Sequence, residues 1–404
     1  MKPDLLSGVR VVDLTTYAAA PGAARMMADW GAEVIKVEGM TGDPMRVFGN
    51  SMGVPCTDEE NPIWELENGN KNGVAINLKN PEGMKFMLKL LESADVFITN
   101  VRLGSLEKMG LDYDSLHAKF PKLVWGHISG YGVYGKEAPR PGYDVVSFWS
   151  RGGQMIDLPP IGHPPITAPY GVGDHTSSLV LLSGVLAALY KARATGEGSR
   201  INASLMNTAM WVSSLMLIST QYGDQWPKDR YMPSTPLSTT YQCSDGEWIT
   251  LTVLDFDRYW AAFVKAMEMD PSFIENPRFN NVKAAKDPAN EPEMVRAIEE
   301  AFAKNTSKYW YDRLVAADIA FEVARHFKDL PHDEQAIANH YVEEVTLRNG
   351  NSFMLPMSPI QIDVNEALEN NYAPLLGEHT AKYLEQFGYS AEEIEALKAS
   401  GAVK

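Results

Sequence analysis

Gly171-Val172-Gly173-Asp174-His175-Thr176-Ser177-Ser178 stands directly before a long stretch with one apolar side. Asp is a preferred residue at a helix start, so Asp174 taken alone reads as an N-cap, with Ser177 assisting. The glycines on its N-terminal side allow a second reading. They leave space beside the carboxylate and let the backbone approach a ligand closely. A helix N-terminus would hold Asp174 ionised, by about 0.3–1 kcal/mol in an exposed setting. Free backbone N–H groups near Gly173 and His175 can bind an oxyanion. An ionised carboxylate beside such donors can attack an activated acyl group.

Other spacings carry less chemistry. Gly130-Tyr131-Gly132-Val133-Tyr134-Gly135 matches the dinucleotide fingerprint GxGxxG, but that fingerprint needs a helix opening at its third glycine. Pro139 and Pro141 follow too closely for a regular helix, so a loop is expected there. There is no Walker-type phosphate loop and no GxSxG elbow. The histidines show no zinc spacing, and His332-Asp333-Glu334 reads as a solvated polar turn. Cys56 and Cys243 stand far apart, which argues against a disulfide framework and fits a reducing compartment.

The elements that must position Asp174 alternate in type. Strands are expected at Val9–Leu14, Glu33–Val37, Val74–Leu78, Val96–Thr99, Leu123–Ile128 and Arg200–Leu205. Helices are expected at Pro21–Trp30, Pro81–Ala94, His175–Ala194 and Met206–Tyr222. Such β/α alternation implies a mainly parallel sheet covered by helices, with ligands beyond the carboxyl ends of its strands. The turns after Leu14, Val37, Leu78 and Thr99 are therefore the places to look. From residue 225 the pattern changes. Leu237–Gln242 and Trp248–Val253 flank Ser244-Asp245-Gly246, a hairpin signal, and helical stretches follow at Phe256–Met267, Met294–Ala303 and Ser307–Ala317. The division expected is 1–224 in a large domain, 225–325 in a small α+β domain, and 326–404 returning to the first, with helices at Glu378–Phe387 and Ala391–Ala399.

A formal net charge of -16 argues against nucleic acid or an anionic membrane as partner. No secretion signal and no run of about 18 apolar residues is evident, so a cytoplasmic protein without a membrane span is expected.

The chain resembles the class III CoA-transferases, the CaiB/BaiF family. The resemblance rests on ordered blocks along nearly the whole chain. They include Leu6–Asp13, Ala28–Glu38, Gly42-Asp43-Pro44-Met45-Arg46, Asn70-Lys71, Leu78–Gly83, Gly173-Asp174 and Pro374–Thr380. Asp29-Trp30-Gly31-Ala32, Thr57–Pro62 and Gly142-Tyr143-Asp144 with Arg151-Gly152-Gly153 are most similar to its anaerobic 2-hydroxyacid branch, the 2-hydroxyisocaproate and cinnamoyl-CoA:phenyllactate type. The resemblance implies a Rossmann-like large domain, a small domain and an interlocked homodimer. It implies Asp174 as nucleophile and CoA contacts at Tyr17, Ala18, Ala19, Ile76 to Lys79, Asn100, Val101, Arg102, Lys108 and Tyr143. Lys79, Arg102 and Lys108 would supply local positive charge. CoA enters as co-substrate, with no permanently bound cofactor and no metal. The oxalate-specific members carry Gln where Ala18 stands, a basic residue where Gly39 stands, and a glycine-rich loop absent here. The racemase members carry His where Tyr143 stands.

The reaction so implied starts with attack by Asp174 on an acyl-CoA, passes through a mixed anhydride and an aspartyl-CoA thioester, and ends with the acyl group of a second acid on CoA. Holding CoA in place throughout is worth roughly 7–11 kcal/mol in favourable cases. Three rivals are separable. An acyl-CoA racemase would label the α-carbon in D₂O, a dinucleotide oxidoreductase would change nicotinamide absorbance, and a non-catalytic acyl-CoA carrier would form no hydroxylamine-trappable adduct. Tyr17, Trp64, Phe148 and Trp149 are candidates for an apolar acyl pocket, or else ordinary core.

Overall fold

The computed structural model describes residues 4–361 and 369–404. Six strands, β1 (Arg10–Leu14), β2 (Glu33–Glu38), β3 (Asn72–Ala75), β4 (Val96–Thr99), β5 (Val124–Ser129) and β6 (Arg200–Ser204), form one sheet in the order β3-β2-β1-β4-β5-β6. Every pairing is parallel. A parallel sheet is covered on both faces, which is why its strands are continuous apolar runs rather than alternating ones. Val11, Val12, Val34, Ile35, Phe97 and Ile98 are all fully buried. Strand order reverses between β1 and β4, and the crevice beyond their carboxyl ends is where such sheets bind ligands.

Helices α1 (Pro21–Asp29), α2 (Pro62–Asn68) and α3 (Pro81–Glu92) each begin with proline, whose missing N–H costs nothing there. Asn61 and Asn80 cap α2 and α3 through their side chains. Helix α4 (Leu103–Met109) follows β4 directly. Helix α5 (Val172–Thr195) packs on β5, β6 and α1 and buries Leu181, Leu182, Val185 and Leu189. By length and composition it could also cross a membrane, and it is the one such helix among the described residues. The helix expected at His175–Ala194 is this one, and a core helix of a soluble protein passes the same length and composition test.

Two expected elements differ. The third strand stops at Ala75, because Ile76 bridges Val403 and the Asn77 N–H donates to Ala402 O, turning the chain toward the C-terminal tail. The helix expected over Met206–Tyr222 is broken into α6 (Leu205–Val212), Ser214–Ser219 and one further turn. Ser213 at the break accepts a hydrogen bond from Gln154 Nε2 (2.9 Å).

Compact units form from Met1–Gln154, Thr167–Ser219 and Pro331–Lys404 on one hand, and from Met155–Ile166 with Thr220–Leu330 on the other. The boundaries read from sequence had left Met155–Ile166 in the large domain. The second unit has an antiparallel sheet of β7 (Thr240–Gln242), β8 (Trp248–Leu251) and β9 (Phe321–Val323). Helices α7 (Phe256–Ala266), α8 (Glu291–Phe302) and α9 (Ser307–Ala316) close an aromatic core around Trp260, Phe263, Phe302 and Trp310. In the first unit, β10 (Val342–Thr346) and β11 (Ser352–Pro356) pair as a hairpin. Helices α10 (Thr380–Gln386) and α11 (Ala391–Ala399) bring Tyr383, Leu384 and Ile394 into the core beside Val74 and Phe86.

Candidate active site

At the strand-order reversal the loops after β1 and β4 are tied together. The Thr16 N–H donates to Asn100 Oδ1 (3.0 Å), and Asn100 Nδ2 donates to Thr16 O (2.8 Å). Tyr17 follows with φ 63°, a left-handed conformation rare for a bulky residue. Its N–H donates to Asp43 Oδ1 (3.2 Å), while Asp43 Oδ2 pairs with Lys36 Nζ at 2.8 Å. Lys36 Nζ also donates to Thr15 O (2.7 Å), so one buried ion pair fixes both ends of the Tyr17 turn. Beside it, Lys71 Nζ pairs with Asp13 Oδ2 (2.8 Å) and donates to Pro21 O (2.9 Å).

An open cavity of about 880 Å³ lies beyond these strand ends, with Asp174 in its wall. Helix α5 starts at Val172, and its N-cap is Gly171 with φ 81° and no capping side chain. Asp174 is therefore the third helical residue, not the N-cap, and it lines the cavity. Ser177 Oγ is buried without a partner and caps nothing. The expected oxyanion donors are already engaged: the Gly173 N–H donates to Asp144 Oδ2 (3.2 Å) and the His175 N–H to Gly171 O (2.8 Å). Asp144 occupies the place an anion takes at a helix start. A Cβ on residue 173 would lie 2.3 Å from Asp144 Oδ1, so only glycine admits this carboxylate.

The surroundings of Asp174 work against the ionised form expected at a helix start. Burial, then the nearby carboxylates of Asp144 and Glu67, push its pKa up to about 7, against the pull of His175. Burial likewise raises Asp144 despite its backbone donors. Glu67, at the end of α2 and with its side chain 1% exposed, places Oε1 2.7 Å from His175 Nε2. Burial works against charge on His175, but Glu67, Asp174 and Asp144 lift its pKa above the ordinary value.

Tyr17, Ala19, Asn100, Val101, Arg102, Lys108, Tyr143 and Asp174 line this one cavity, and Ala18, Ile76 and Lys79 do not. Ala18 is buried with Met45 and Trp64. Ile76 is buried against the C-terminal tail, and Lys79 is exposed on the turn before α3. Arg102 and Lys108 make no ion pair among the described residues. Trp64, Phe148 and Trp149 are core rather than pocket: Trp64 donates its indole N–H to Pro374 O (3.0 Å) and stacks under Arg46. Tyr17 instead joins an edge-to-face run, meeting Tyr143 at 5.9 Å and Phe48 at 6.4 Å, with Phe48 meeting Tyr170 at 6.1 Å. The 130–135 glycine run is a loop, as expected, and Gly130 and Gly132 line the cavity. Missed from sequence were Glu67, His127, Arg140 and the capping role of Asp144. His127 lines the cavity as a neutral donor to Val101 O (3.0 Å), its pKa pushed down to about 4 by burial. Among the described residues no group of His, Cys, Asp and Glu is placed to hold a metal.

Comparison with known proteins finds relatives over nearly the whole chain. Residues 6–380 match the model of CoA-transferase family III. The chain is 40% identical over 99% of its length to the whole of (R)-2-hydroxy-4-methylpentanoate CoA-transferase of Clostridioides difficile. It is 36% identical over 98% of its length to 96% of cinnamoyl-CoA:phenyllactate CoA-transferase of Clostridium sporogenes. Among solved structures, Rv3272 from M. tuberculosis superposes with a TM-score of 0.80 at 25% identity, over 95% of this chain and 100% of that one. A CAIB/BAIF family protein from Brucella suis shares the fold, with a TM-score of 0.81 at 24% identity over 95% of this chain and 99% of its own.

Proposed function

The chain belongs to CoA-transferase family III, and from that membership we propose that it moves CoA from a 2-enoyl- or 2-hydroxyacyl-CoA to a free 2-hydroxy acid through covalent Asp174. The observation that carries this reading is Asp174 in the first turn of α5, in the wall of a cavity that also holds Arg102 and Lys108. The two cations suit the phosphates of CoA, and the carboxylate suits the thioester end.

The Asp174 carboxylate attacks the donor thioester carbonyl. The C–S bond breaks, giving a mixed anhydride and CoA thiolate. The thiolate attacks the aspartyl carbonyl and expels the donor acid as its carboxylate, leaving an aspartyl-CoA thioester. The acceptor carboxylate then attacks that carbonyl and releases the thiolate. The thiolate takes the new acyl group from the second anhydride and regenerates Asp174. No net proton is consumed and no metal is needed.

The names of the two Clostridia relatives make 2-hydroxy-4-methylpentanoate and phenyllactate the first acceptors to try. A homodimer in the cytoplasm is part of the proposal. Trp211 and Leu215, 75% and 79% exposed, offer apolar surface to a second copy, and light scattering tests that association. The decisive experiment is hydroxylamine trapping during turnover, read by mass spectrometry. Modification of Asp174 supports the reading, and turnover without any modified Asp174 rejects it. A racemase is less well supported, because Tyr143 stands where a second base would be required.

A further inference from the structure

We propose that His175, hydrogen-bonded to buried Glu67, is the subsite that receives the carboxylate of the free acid beside Asp174. The proposal rests on the exchange reading above and adds to it a residue for acid recognition.

A carboxylate as buried as that of Glu67 must be paired. Its hydrogen-bonding partner among the described residues is His175 Nε2 at 2.7 Å. With Nε2 so engaged, a protonated ring still has Nδ1–H to donate, and the side chain is 48% exposed. Residue 171 is glycine, and a Cβ there would touch the ring 3.6 Å from Nδ1, so the missing side chain leaves that edge of the imidazole uncovered. The edge-to-face run Tyr143, Tyr17, Phe48, Tyr170 starts in the cavity wall and ends one residue before Gly171. It forms an apolar face for the acid's side chain, ending where its carboxylate meets Nδ1. His175 is not in the cavity lining, but Asp174, Tyr17 and Tyr143 are, so the acid's subsite adjoins that of CoA.

Charge balance calls for such a group. The charged groups facing His175 are Glu67 from α2, Asp174 from its own helix and Asp144 from the segment before it, all acidic. An incoming carboxylate would meet repulsion from all of them without a cation. Once Asp174 is bound as a thioester its charge is gone, and the imidazolium is left to the acid. The acid oxygen then bonds to the aspartyl carbonyl, the C–S bond breaks and CoA leaves as thiolate. His175 keeps its proton throughout and acts by charge alone.

The test compares wild type, His175→Gln and the double variant Glu67→Gln/His175→Gln, which leaves no unpaired buried charge if the single variant folds poorly. Acid affinity is measured calorimetrically with 2-hydroxy-4-methylpentanoate as probe, alongside KM for the acid and for the acyl-CoA. Loss of a charge-assisted contact should weaken acid binding about tenfold or more and leave the KM for acyl-CoA within about twofold. Wild-type acid affinity should fall as pH rises through the imidazolium pKa, and this fall should vanish in both variants. Unchanged acid affinity in the variants, or equal changes in both KM values, overturns the proposal. Absence of a trapped Asp174 adduct in wild type overturns the exchange reading instead, and leaves the acid-affinity result to decide this one.

Discussion

The first unit holds two charged clusters close to the strand ends, and their arithmetic differs. Behind Tyr17, Lys36 and Lys71 meet Asp43 and Asp13, two cations to two anions, all four side chains at 0–1% exposure. Around the start of α5, Asp174, Asp144 and Glu67 share one imidazole. In the balanced cluster each charge has a partner, so burial costs are offset and the geometry is fixed. Lys71 is pushed down to about 8 by burial, yet Asp13 at 2.8 Å keeps it charged at neutral pH. In the unbalanced cluster burial, then the like charges of Asp144 and Glu67, push Asp174 up and leave it near its point of half-ionisation at pH 7. Balanced burial builds a scaffold, whereas a surplus of one sign leaves a group able to change its bonding.

The sharpest way to break this contrast is to neutralise a member of each cluster. Asp174→Asn should lower turnover by about a thousandfold or more, since the covalent route is lost, with CoA still bound. Residual turnover near wild type would remove Asp174 from the chemistry. Lys36→Met should act in the opposite way. It leaves Asp43 buried and without its cation, and should cost about 3–5 kcal/mol of stability in denaturant unfolding of the full chain. A loss of activity without loss of stability in Lys36→Met would show that the balanced cluster is no scaffold. Tyr17 should be the first residue disturbed, because Asp43 holds its N–H.

The two clusters were unequally legible in the sequence. The β/α alternation located the sheet, because β-branched runs and proline-led helices are local signals, and the turns after Leu14 and Thr99 do meet in one cavity. The turns at Ile76 and Lys79 do not, since the chain there is diverted by the C-terminal tail, a contact no local pattern encodes. Asp174 was legible as a nucleophile and, on the plainer reading, as a cap; its place as the third helical residue was not, because glycine at 171 and glycine at 173 look alike in sequence. Only the structure shows that one glycine is the cap and the other makes room for Asp144. Glu67 lies 108 residues from its partner His175. Its helix starts with proline and carries Trp64, so it reads as ordinary amphipathic sequence.

The pH dependence should separate the clusters next. If attack needs ionised Asp174, kcat/KM should rise about tenfold per pH unit on the acid side and level off above about 7. Lys36 remains charged across that range, and Lys71, pushed down to about 8, titrates only on its alkaline side. A profile flat between pH 5 and about 8 would mean that Asp174 is not the titrating group.

Asp144→Asn makes the smallest and most specific change. Asn keeps an oxygen to accept the Gly173 N–H but removes the like charge beside Asp174. The acid limb of the kcat/KM profile should therefore move to lower pH, with the plateau little altered. Stability gives a second reading of the same shift. Asp174 binds its proton more tightly folded than unfolded, where a carboxyl titrates near about 4. Wild-type stability attributable to this group is thus complete below about pH 4, declines as pH rises, and is lost once pH passes about 7. In Asp144→Asn the folded pKa is lower, so the declining window should close earlier, and in Asp174→Asn it should disappear. Thermal unfolding of the three proteins across pH 4 to about 8 reads this directly. Parallel curves would mean that Asp144 and Asp174 do not share a field, and the unbalanced cluster would reduce to separate acids.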